Sequence, residues 1–306
     1  MGRSAQGAGG LLMDRGALIL LFGATLAWST SGLFARAIPL DTPTVILWRG
    51  LFGAAGLVAT LYWMKGSAGF ADFTRLGRAG WLYALMSGIG MLFFVGALKA
   101  TTIANVAIIY ATVPFAAAAL GWLVLREVPS RVAMLASGLA LLGAVIMVGL
   151  GGDGRWQGDL MAVGMVLAMA GIIVIARARP EMPALAAGTI SAIWAPLACL
   201  PFAMMVGITP GNVALMAAFG LVNSTLGFAL FVYGSRRAAP VVTGLMGALE
   251  TPLTPLWVWL IFAETPSAAT LAGGAVVMLA VGWFIVVESR RPAPPNPPPH
   301  PPAHPG

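Results

Sequence analysis

The fold follows from the stretch WLYALMSGIGMLFFVGALKATTIANVAIIYATVPFAAAALGWLVLREVPS, which runs from Trp81 to Ser130. It returns 137 positions later, without a gap, as AFGLVNSTLGFALFVYGSRRAAPVVTGLMGALETPLTPLWVWLIFAETPS, from Ala218 to Ser267. Ten aligned positions are identical. They are Ser87 and Ser224, Gly90 and Gly227, Phe94-Val95 and Phe231-Val232, Ala111 and Ala248, Trp122-Leu123 and Trp259-Leu260, Glu127 and Glu264, and Pro129-Ser130 and Pro266-Ser267. The chain therefore contains two copies of one structural unit.

The composition is that of a membrane protein. Of the 306 residues, 59% are hydrophobic and only 9% are charged, whereas a soluble globular domain has about 25% charged residues. A chain this apolar is stable only where most of its surface faces lipid. The net charge of +7 does not indicate nucleic-acid binding, because the basic residues lie in short loops between apolar runs and direct membrane topology.

Ten apolar runs are each close to the roughly 20 residues that a membrane-crossing helix needs. The predicted spans are 16–36, 43–64, 79–99, 103–125, 130–150, 157–177, 184–206, 213–234, 240–262 and 267–287. Each copy of the repeat then holds five spans, and an odd number inserts the two copies with opposite orientations. We therefore expect an all-α integral membrane protein of ten transmembrane helices in two five-helix inverted repeats, at 14–150 and 157–288.

The basic residues predict the orientation of the chain. Of the 17, only Arg36, Lys99 and Arg155 fall in one set of loops, while Arg49 lies inside a span and the rest lie in the opposite set. The positive-inside rule then places both termini in the cytoplasm, including an N-terminal cytoplasmic segment at 1–13. Residues 292–306 form a Pro-rich tail, which we expect to be disordered.

Several residues resemble the drug/metabolite transporter superfamily, in its ten-helix branch with two EamA-type domains. They are Ala27-Trp28-Ser29, Arg49, Ala97-Leu98-Lys99, Pro114 with Arg126-Glu127, and Glu250-Thr251-Pro252 with Glu264. The resemblance covers roughly residues 14–288 and implies a transporter of amino acids, other metabolites or drugs. Because Trp28-Ser29-Thr30 looks like their first span, the YddG-type aromatic amino-acid exporters are the group that the chain resembles most.

Transporters with inverted repeats bind substrate near the membrane midplane, where the repeats meet. Polar and aromatic residues of four spans are the candidates for that site, because a cavity of rings with a few hydroxyls and amides suits apolar or aromatic zwitterions. The same side chains also join helices in membranes, so each one taken singly fits packing as well. The predicted substrate-binding residues are Trp28, Ser29, Tyr83, Ser87, Phe94, Asn105, Tyr110, Asn223, Ser224, Phe228 and Tyr233.

Prolines predict interrupted helices in the fourth and ninth spans. Pro114 lies in one, and Pro252 and Pro255 lie in the other. Each proline removes an intrahelical hydrogen bond, which is tolerated in a membrane where the freed backbone faces protein or a water-filled cavity. Because the two spans correspond in the repeat, we expect a kinked pair that lines a central path.

Two charged residues lie inside predicted spans. Glu250 has three open roles, which are proton coupling, binding of a substrate ammonium, and a structural pair with Arg49. Arg49 either neutralises a substrate carboxylate or ties its helix to neighbouring carbonyls. Glu127 and Glu264, with the Pro-Ser pairs that follow them, are typical of helix starts and are interpreted as structural.

The sequence offers little for catalysis, and we expect no enzyme activity, no cofactor and no metal site. It lacks a Ser/His/Asp set, a Cys/His cluster and a nucleotide-binding loop. Cys199 is the only cysteine, and His300 and His304, the only histidines, lie in the tail. We expect a monomeric secondary transporter that exports neutral or aromatic amino acids across the bacterial inner membrane by alternating access. Its partners would be the small-molecule substrate and the lipid bilayer. The alternatives are an exporter of other metabolites or drugs, a non-transporting assembly subunit and a membrane-embedded enzyme.

Overall fold

The computed structural model describes residues 14–101, 103–148, 156–263 and 265–289. The N-terminal segment at 1–13, the tail at 292–306, Arg155 and Glu264 therefore lie outside the described residues, and the side chain of Lys99 does as well. The described helices are α1a (Arg15–Ser29) and α1b (Ser31–Ala37), α2 (Thr42–Lys65), α3 (Gly77–Ala100), α4a (Ile103–Tyr110) and α4b (Val113–Leu125), α5 (Arg131–Val148), α6 (Trp156–Ala178), α7 (Ala184–Ala198), α8a (Pro210–Phe219) and α8b (Phe228–Ser235) with a π-helix between them (Gly220–Gly227), α9a (Pro240–Gly247) and α9b (Glu250–Phe262), and α10 (Ala268–Ser289).

The described part of the chain also contains three short turns of helix. A 3₁₀-helix at Gly66–Phe70 and a single α-turn at Ala71–Thr74 follow α2, and a second 3₁₀-helix at Leu200–Phe202 follows α7. Within the described residues, nine helical stretches are long and apolar enough to cross a membrane, and the apolar helix of α5 is shorter, at Arg131–Met147. The all-helical membrane architecture predicted from composition is thus confirmed.

The helices pack in a two-fold pattern that follows the repeat. The contact of α3 with α6 corresponds to that of α8 with α1, and the contact of α4 with α6 corresponds to that of α9 with α1. In addition, α2, α4 and α5 pack against their own counterparts, α7, α9 and α10. In the last of these pairs, a Cβ on Gly143 would lie 2.7 Å from the carbonyl oxygen of Gly273, so glycine lets the two backbones touch.

Both α4 and α9 are interrupted at the same point of the repeat. The first interruption follows Tyr110, and helix resumes at Val113. The second interruption follows Gly247, and helix resumes at Glu250. Both of these positions lie 137 residues after their counterparts in the first interruption. We call these two interruptions the α4 break and the α9 break.

The hydrogen bonds of the two breaks correspond as well. The Thr112 N–H donates to the carbonyl of Ile109 at 3.0 Å, and the Leu249 N–H, at the matching position, donates to the carbonyl of Met246 at 3.2 Å. Each bond spans three residues rather than four, which tightens the chain locally into a 3₁₀ turn. The breaks are therefore the same backbone structure made twice.

Prolines remove a different N–H from each break. Pro114 has no N–H, whereas its counterpart Thr251 donates to the carbonyl three residues earlier at 3.2 Å. Pro252 has none either, whereas its counterpart Phe115 donates to the carbonyl three residues earlier at 3.0 Å. Both prolines thus lie in the first turn after a break, and each removes one short backbone hydrogen bond that the matching break keeps.

The ends of α4b and α9b match in the same way. Arg126 and Ala263 each follow the last helical residue with a positive φ, of 59° and 56°. The next helices begin with serine caps, since the Ser130 hydroxyl accepts the N–H of Ala133 and the Ser267 hydroxyl accepts the N–H of the residue three positions on, both at 3.1 Å. The helix starts predicted from the two Pro-Ser pairs are confirmed.

Candidate functional site

The first helix is interrupted at Thr30, and residues of the second copy hold this interruption in place. The buried Asn223 side chain, in the π-helix of α8, donates to the carbonyl of Ala27 and to the Thr30 hydroxyl, both at 3.0 Å. In return, Trp28 Nε1 donates to the Asn223 carbonyl at 3.1 Å. The indole of Trp257 donates to the Ser29 hydroxyl at 2.8 Å. Trp28, Ser29 and Asn223 are therefore brought together, and each makes a hydrogen bond between the two copies.

A small central cavity lies beside these contacts, between α1, α4, α6, α8 and α9. Trp28, Tyr110 and Pro114 line it, together with Phe231, whose ring centroid is 5.0 Å from that of Trp28. Residues of the α9 break complete the wall. Its volume is about 20 Å³, which holds about one water molecule. This cavity is too small for a metabolite, so binding a metabolite there requires the helices to separate.

The two breaks touch each other at this cavity. A Cβ added to Gly244 of α9a would lie 2.9 Å from the Cα of Pro114, which explains why glycine is needed there. On the far side of the α9 break, the buried Pro252 packs near Gly274 of α10. Pro255 lies inside α9b and is half-buried. Of the three prolines predicted to kink helices, two therefore lie at the start of a new helix and one lies within it.

Glu250 and Arg49 are both half-buried charged residues within helices of the bundle. Glu250 is half-buried and is the first residue of α9b. The Arg49 guanidinium lies 3.2 Å from the Met91 sulfur and 4.7 Å from the centroid of the Phe219 ring. Both residues are described, yet they form no direct ion pair. The structural pair considered for them from the sequence is therefore not a direct ion pair in this structure.

Other predicted residues join neighbouring helices away from the cavity. The fully buried Tyr83 packs edge-on against Phe228, with the ring centroids 6.2 Å apart. The Ser87 hydroxyl accepts a hydrogen bond of 2.9 Å from Ser191 of α7. Its counterpart Ser224 packs so closely on α2 that a Cβ on the facing glycine would overlap it. These four predicted residues therefore connect helices in this conformation.

The remaining three predicted residues lie apart from the centre. Phe94 is 37% exposed and lines no described cavity, whereas its counterpart Phe231 is buried. The Asn105 amide and the Thr101 hydroxyl both donate to Asp159 at the start of α6, at 3.1 and 2.7 Å. Tyr233 lies near the end of α8, where its hydroxyl is 3.7 Å from the Met64 sulfur. The predicted set thus divides into central residues and residues at other helix contacts.

A charged cluster that the sequence did not predict connects the two copies at the ends of α4, α6 and α8. Arg177 donates to the Glu127 carboxylate and to the carbonyl of Arg236, both at 3.1 Å. The Arg236 guanidinium in turn donates to the carbonyl of Met182. Burial lowers the pKa of Arg236, and the nearby Tyr233 counteracts part of that effect. Glu127, interpreted from the sequence as a helix-start signal, therefore also bridges the two repeats.

Within the described residues, no group of three or more His, Cys, Asp or Glu side chains is placed to hold a metal ion. The chemistry that the centre offers is recognition, because aromatic rings and hydroxyls line the cavity and Glu250 begins α9b directly after the α9 break.

Comparison with known proteins gives the family. The EamA-like transporter family matches residues 15–149 and again residues 156–286, once for each copy of the repeat. No curated protein matches the chain. A crystal structure of a protein with 18% sequence identity has the same fold, with a TM-score of 0.79 over 90% of this chain and 98% of that one. The chain therefore belongs to the EamA-like transporter family and is a multi-pass membrane transporter of small metabolites.

Proposed function

We propose that the protein exports neutral or aromatic amino acids across the bacterial inner membrane as a secondary transporter. In this proposal α5 also crosses the membrane, which brings the number of spans to ten. The two copies have opposite orientations, and both termini lie in the cytoplasm. The strong bias of basic residues toward one set of loops supports this orientation. The odd number of spans in each copy is what inverts the second copy.

The observation that carries the proposal is the meeting of both breaks at one cavity between the copies. In transporters built from inverted repeats, interrupted helices near the midplane form the substrate site, and one repeat moves against the other around it. Irregular backbone at that depth is tolerated where it is covered by protein or lines a cavity. The matched breaks therefore mark the binding site of an alternating-access cycle.

The aromatic side chains at the centre support an aromatic or neutral amino acid as the substrate. Trp28, Tyr110 and Phe231 supply ring surface, and Ser29 and Asn223 lie beside them. The resemblance of the first span to the YddG-type exporters favours the same class and the outward direction. The proposed site is completed, once the helices separate, by Tyr83, Ser87, Phe94, Asn105, Ser224, Phe228 and Tyr233.

Alternating access requires the closed cavity to open toward each side in turn. The bridge from Glu127 to Arg177 joins the copies at one end of the bundle, and the contacts of Asp159 with Thr101 and Asn105 join them at a different place. Each is a small set of polar bonds, which separates at a lower cost than a broad apolar contact. We propose that they form and break as the copies rock.

Flux into proteoliposomes tests this function. Purified protein is reconstituted and supplied with labelled tryptophan, phenylalanine, threonine, methionine, and aspartate as the acidic control. Saturable flux of the neutral and aromatic amino acids, with aspartate excluded, is the expected result. An imposed pH gradient distinguishes a proton-coupled exchanger, which accumulates substrate, from a facilitator, which only equilibrates it. Folded protein that moves none of these amino acids would contradict the substrate class and leave the family assignment intact.

A further inference from the structure

The outer surface of the bundle carries an open apolar groove between α2 and α7, which belong to opposite copies of the repeat. Its volume is about 680 Å³, against about 20 Å³ for the central cavity. Along α2 the groove is lined by Leu51, Ala55, Val58 and Tyr62, which recur every three or four residues and so share one face of the helix. Ile193 forms the α7 side. Both copies thus contribute to one groove with room for a long apolar chain.

The groove has short side chains along its floor and aromatic rings at one end. Ala55 and Ala59 are exposed on α2, and their small size leaves the depression. At the end nearest Lys65, the ring centroids of Tyr62 and Phe70 lie 6.4 Å apart, and these residues are 59% and 49% exposed. Exposed aromatic rings are typical of the membrane–water interface. This end of the groove therefore corresponds to the level of the lipid headgroups.

The length of the groove fits one leaflet of a bilayer. From Leu51 to Tyr62 the helix advances by 11 residues, which is roughly 16 Å at 1.5 Å per residue. The hydrocarbon core of a bilayer is about 30 Å thick, so each leaflet supplies about 15 Å. A groove that begins at the interface and has this length ends near the midplane, which is the depth that one acyl chain reaches.

Basic residues lie where the groove meets the interface. Lys65, the last residue of α2, falls one turn beyond Tyr62 on the same face, and its side chain is 49% exposed. Its ammonium donates to Asp72 at 2.7 Å. A single helical turn follows Phe70 directly and ends at Arg75, which is exposed. Both basic residues thus follow closely on the rings that close the groove.

The charge of this region favours an anion and has no match in the second copy. With Arg78 in the first turn of α3, three basic residues and one acid give residues 65–78 a net charge of +2. The corresponding connection at 199–209, between α7 and α8, contains no charged residue. The basic end of the groove is therefore a feature that the first copy has and the second copy lacks.

We propose that this groove binds an anionic phospholipid, with one acyl chain along α2 and the phosphate at Lys65 and Arg75. The planar guanidinium of arginine suits that position because it binds a phosphate through two parallel hydrogen bonds. The acyl chain buries apolar surface against Ala55, Val58 and Ile193, which adds an attraction that does not depend on charge. The site is separate from the central cavity and independent of which metabolite is carried.

A second copy of the chain fits the groove less well than a lipid does. A stable protein interface takes about 20–30 residues from each partner, whereas this groove is a narrow strip along one face of α2, completed by Phe70 and Ile193. A two-fold dimer about the membrane normal would also bring two basic ends to the same level, where like charges repel. A phospholipid instead matches both the apolar strip and the charge at its end.

Photolabelling of the purified full-length protein in mixed micelles tests the site. The probe is a phosphatidylglycerol with a diazirine in one acyl chain, and the labelled peptides are mapped by mass spectrometry. We expect the adduct to concentrate on residues 51–62. Unlabelled phosphatidylglycerol should compete at least about ten-fold more strongly than phosphatidylcholine with the same chains, since each basic residue near an anionic lipid contributes about 1 kcal/mol, or about five-fold.

Variants test the two parts of the site separately. Ala55→Trp fills the groove and should lower the adduct on residues 51–62 at least ten-fold, whereas Ala119→Trp, at an exposed alanine of α4b, is the matched control and should leave it unchanged. Arg75→Gln combined with R78Q should lower the preference for phosphatidylglycerol at least five-fold. Arg131→Gln, at another exposed arginine, should keep that preference. Thermal unfolding in detergent checks that each variant is folded.

Three results would overturn the lipid site. One is an adduct spread evenly over the exposed helices of the wild-type protein, and another is equal competition by the two lipids. Because both comparisons use the wild-type protein, they remain decisive even if the variants fail to fold. The third is crosslinking of residues 51–62 between two chains in place of lipid labelling, which would assign the groove to a second copy.

Discussion

The α4 break and the α9 break share a backbone but differ in their side chains. Val113 begins α4b and is buried in the core, whereas Glu250 begins α9b at the matching position and is half-buried. Both breaks nevertheless end and resume helix at the same register and keep the same short hydrogen bonds. An interrupted helix in this fold therefore does not require a charge.

This difference separates a feature that both copies share, the interrupted backbone, from one that only the second copy has, the carboxylate of Glu250. The interrupted backbone belongs to the repeated unit and gives the molecule a pair of interrupted helices at its centre. The carboxylate belongs to the second copy alone, and its counterpart valine would carry no insertion cost at the same place. A costly residue retained in only one of two equivalent positions is best explained by a task at that position.

The largest expected effect comes from forcing the two breaks apart. Gly244→Leu places a side chain against the backbone of Pro114, where a Cβ alone would approach to 2.9 Å. We expect destabilisation by about 3 kcal/mol, the upper range for overpacked cores, measured as a lower unfolding temperature in detergent. Gly247→Ala is the control, because a Cβ there meets nothing within 4 Å. Equal stability of the two variants would mean that the breaks need not touch.

A smaller effect is expected at the end of α4b, where Glu127 joins the copies. Glu127→Ala removes the acceptor of the 3.1 Å bond from Arg177, and we expect a loss of about 1.5 kcal/mol of stability because a partly buried cation loses its partner. The control is Arg126→Ala, which gives the first copy the residue that the second copy already has as Ala263. Comparable losses in both variants, measured by thermal unfolding, would show that the bridge contributes nothing specific.

The smallest effect tests how closely the copies match at the ends of α4b and α9b. Arg126 and Ala263 both adopt a positive φ, which glycine adopts without steric cost. We expect Arg126→Gly and Ala263→Gly each to raise stability by about 0.5–1 kcal/mol. The two gains should be equal within error when the variants are unfolded by heat in the same detergent. A gain in only one of them would show that the two ends differ in strain.

Much of the fold could be predicted because the repeat and the apolar pattern both depend on local sequence. The predicted spans at 103–125 and 240–262 coincide with the outer limits of α4 and α9. The prolines indicated that both helices would be interrupted, although the break precedes Pro114 and Pro252 rather than falling at them. The starts of α5 and α10 followed from Glu127, Glu264 and the Pro-Ser pairs for the same local reason.

The partners of the site residues could not be predicted in this way. Serine, asparagine and tryptophan look alike in the sequence whether they line a cavity or join two helices. Ser29 bonds to Trp257, which is 228 positions away, and no local signal marks that distance. Asp159 and Arg177 were missed because they lie near the ends of α6, where charged residues are expected to face water. Only the docking of the helices shows that both bridge the copies.

The most direct test of the account is the flux of labelled phenylalanine through two variants of the matching positions. Glu250→Val gives the α9 break the residue of the α4 break, and Val113→Ala alters the α4 break without adding charge. We expect Glu250→Val to remain folded and to lose at least ten-fold in flux, whereas Val113→Ala should keep at least about half of the wild-type flux. Wild-type flux through Glu250→Val would contradict the account, since the second break would then need no more than the backbone it shares with the first.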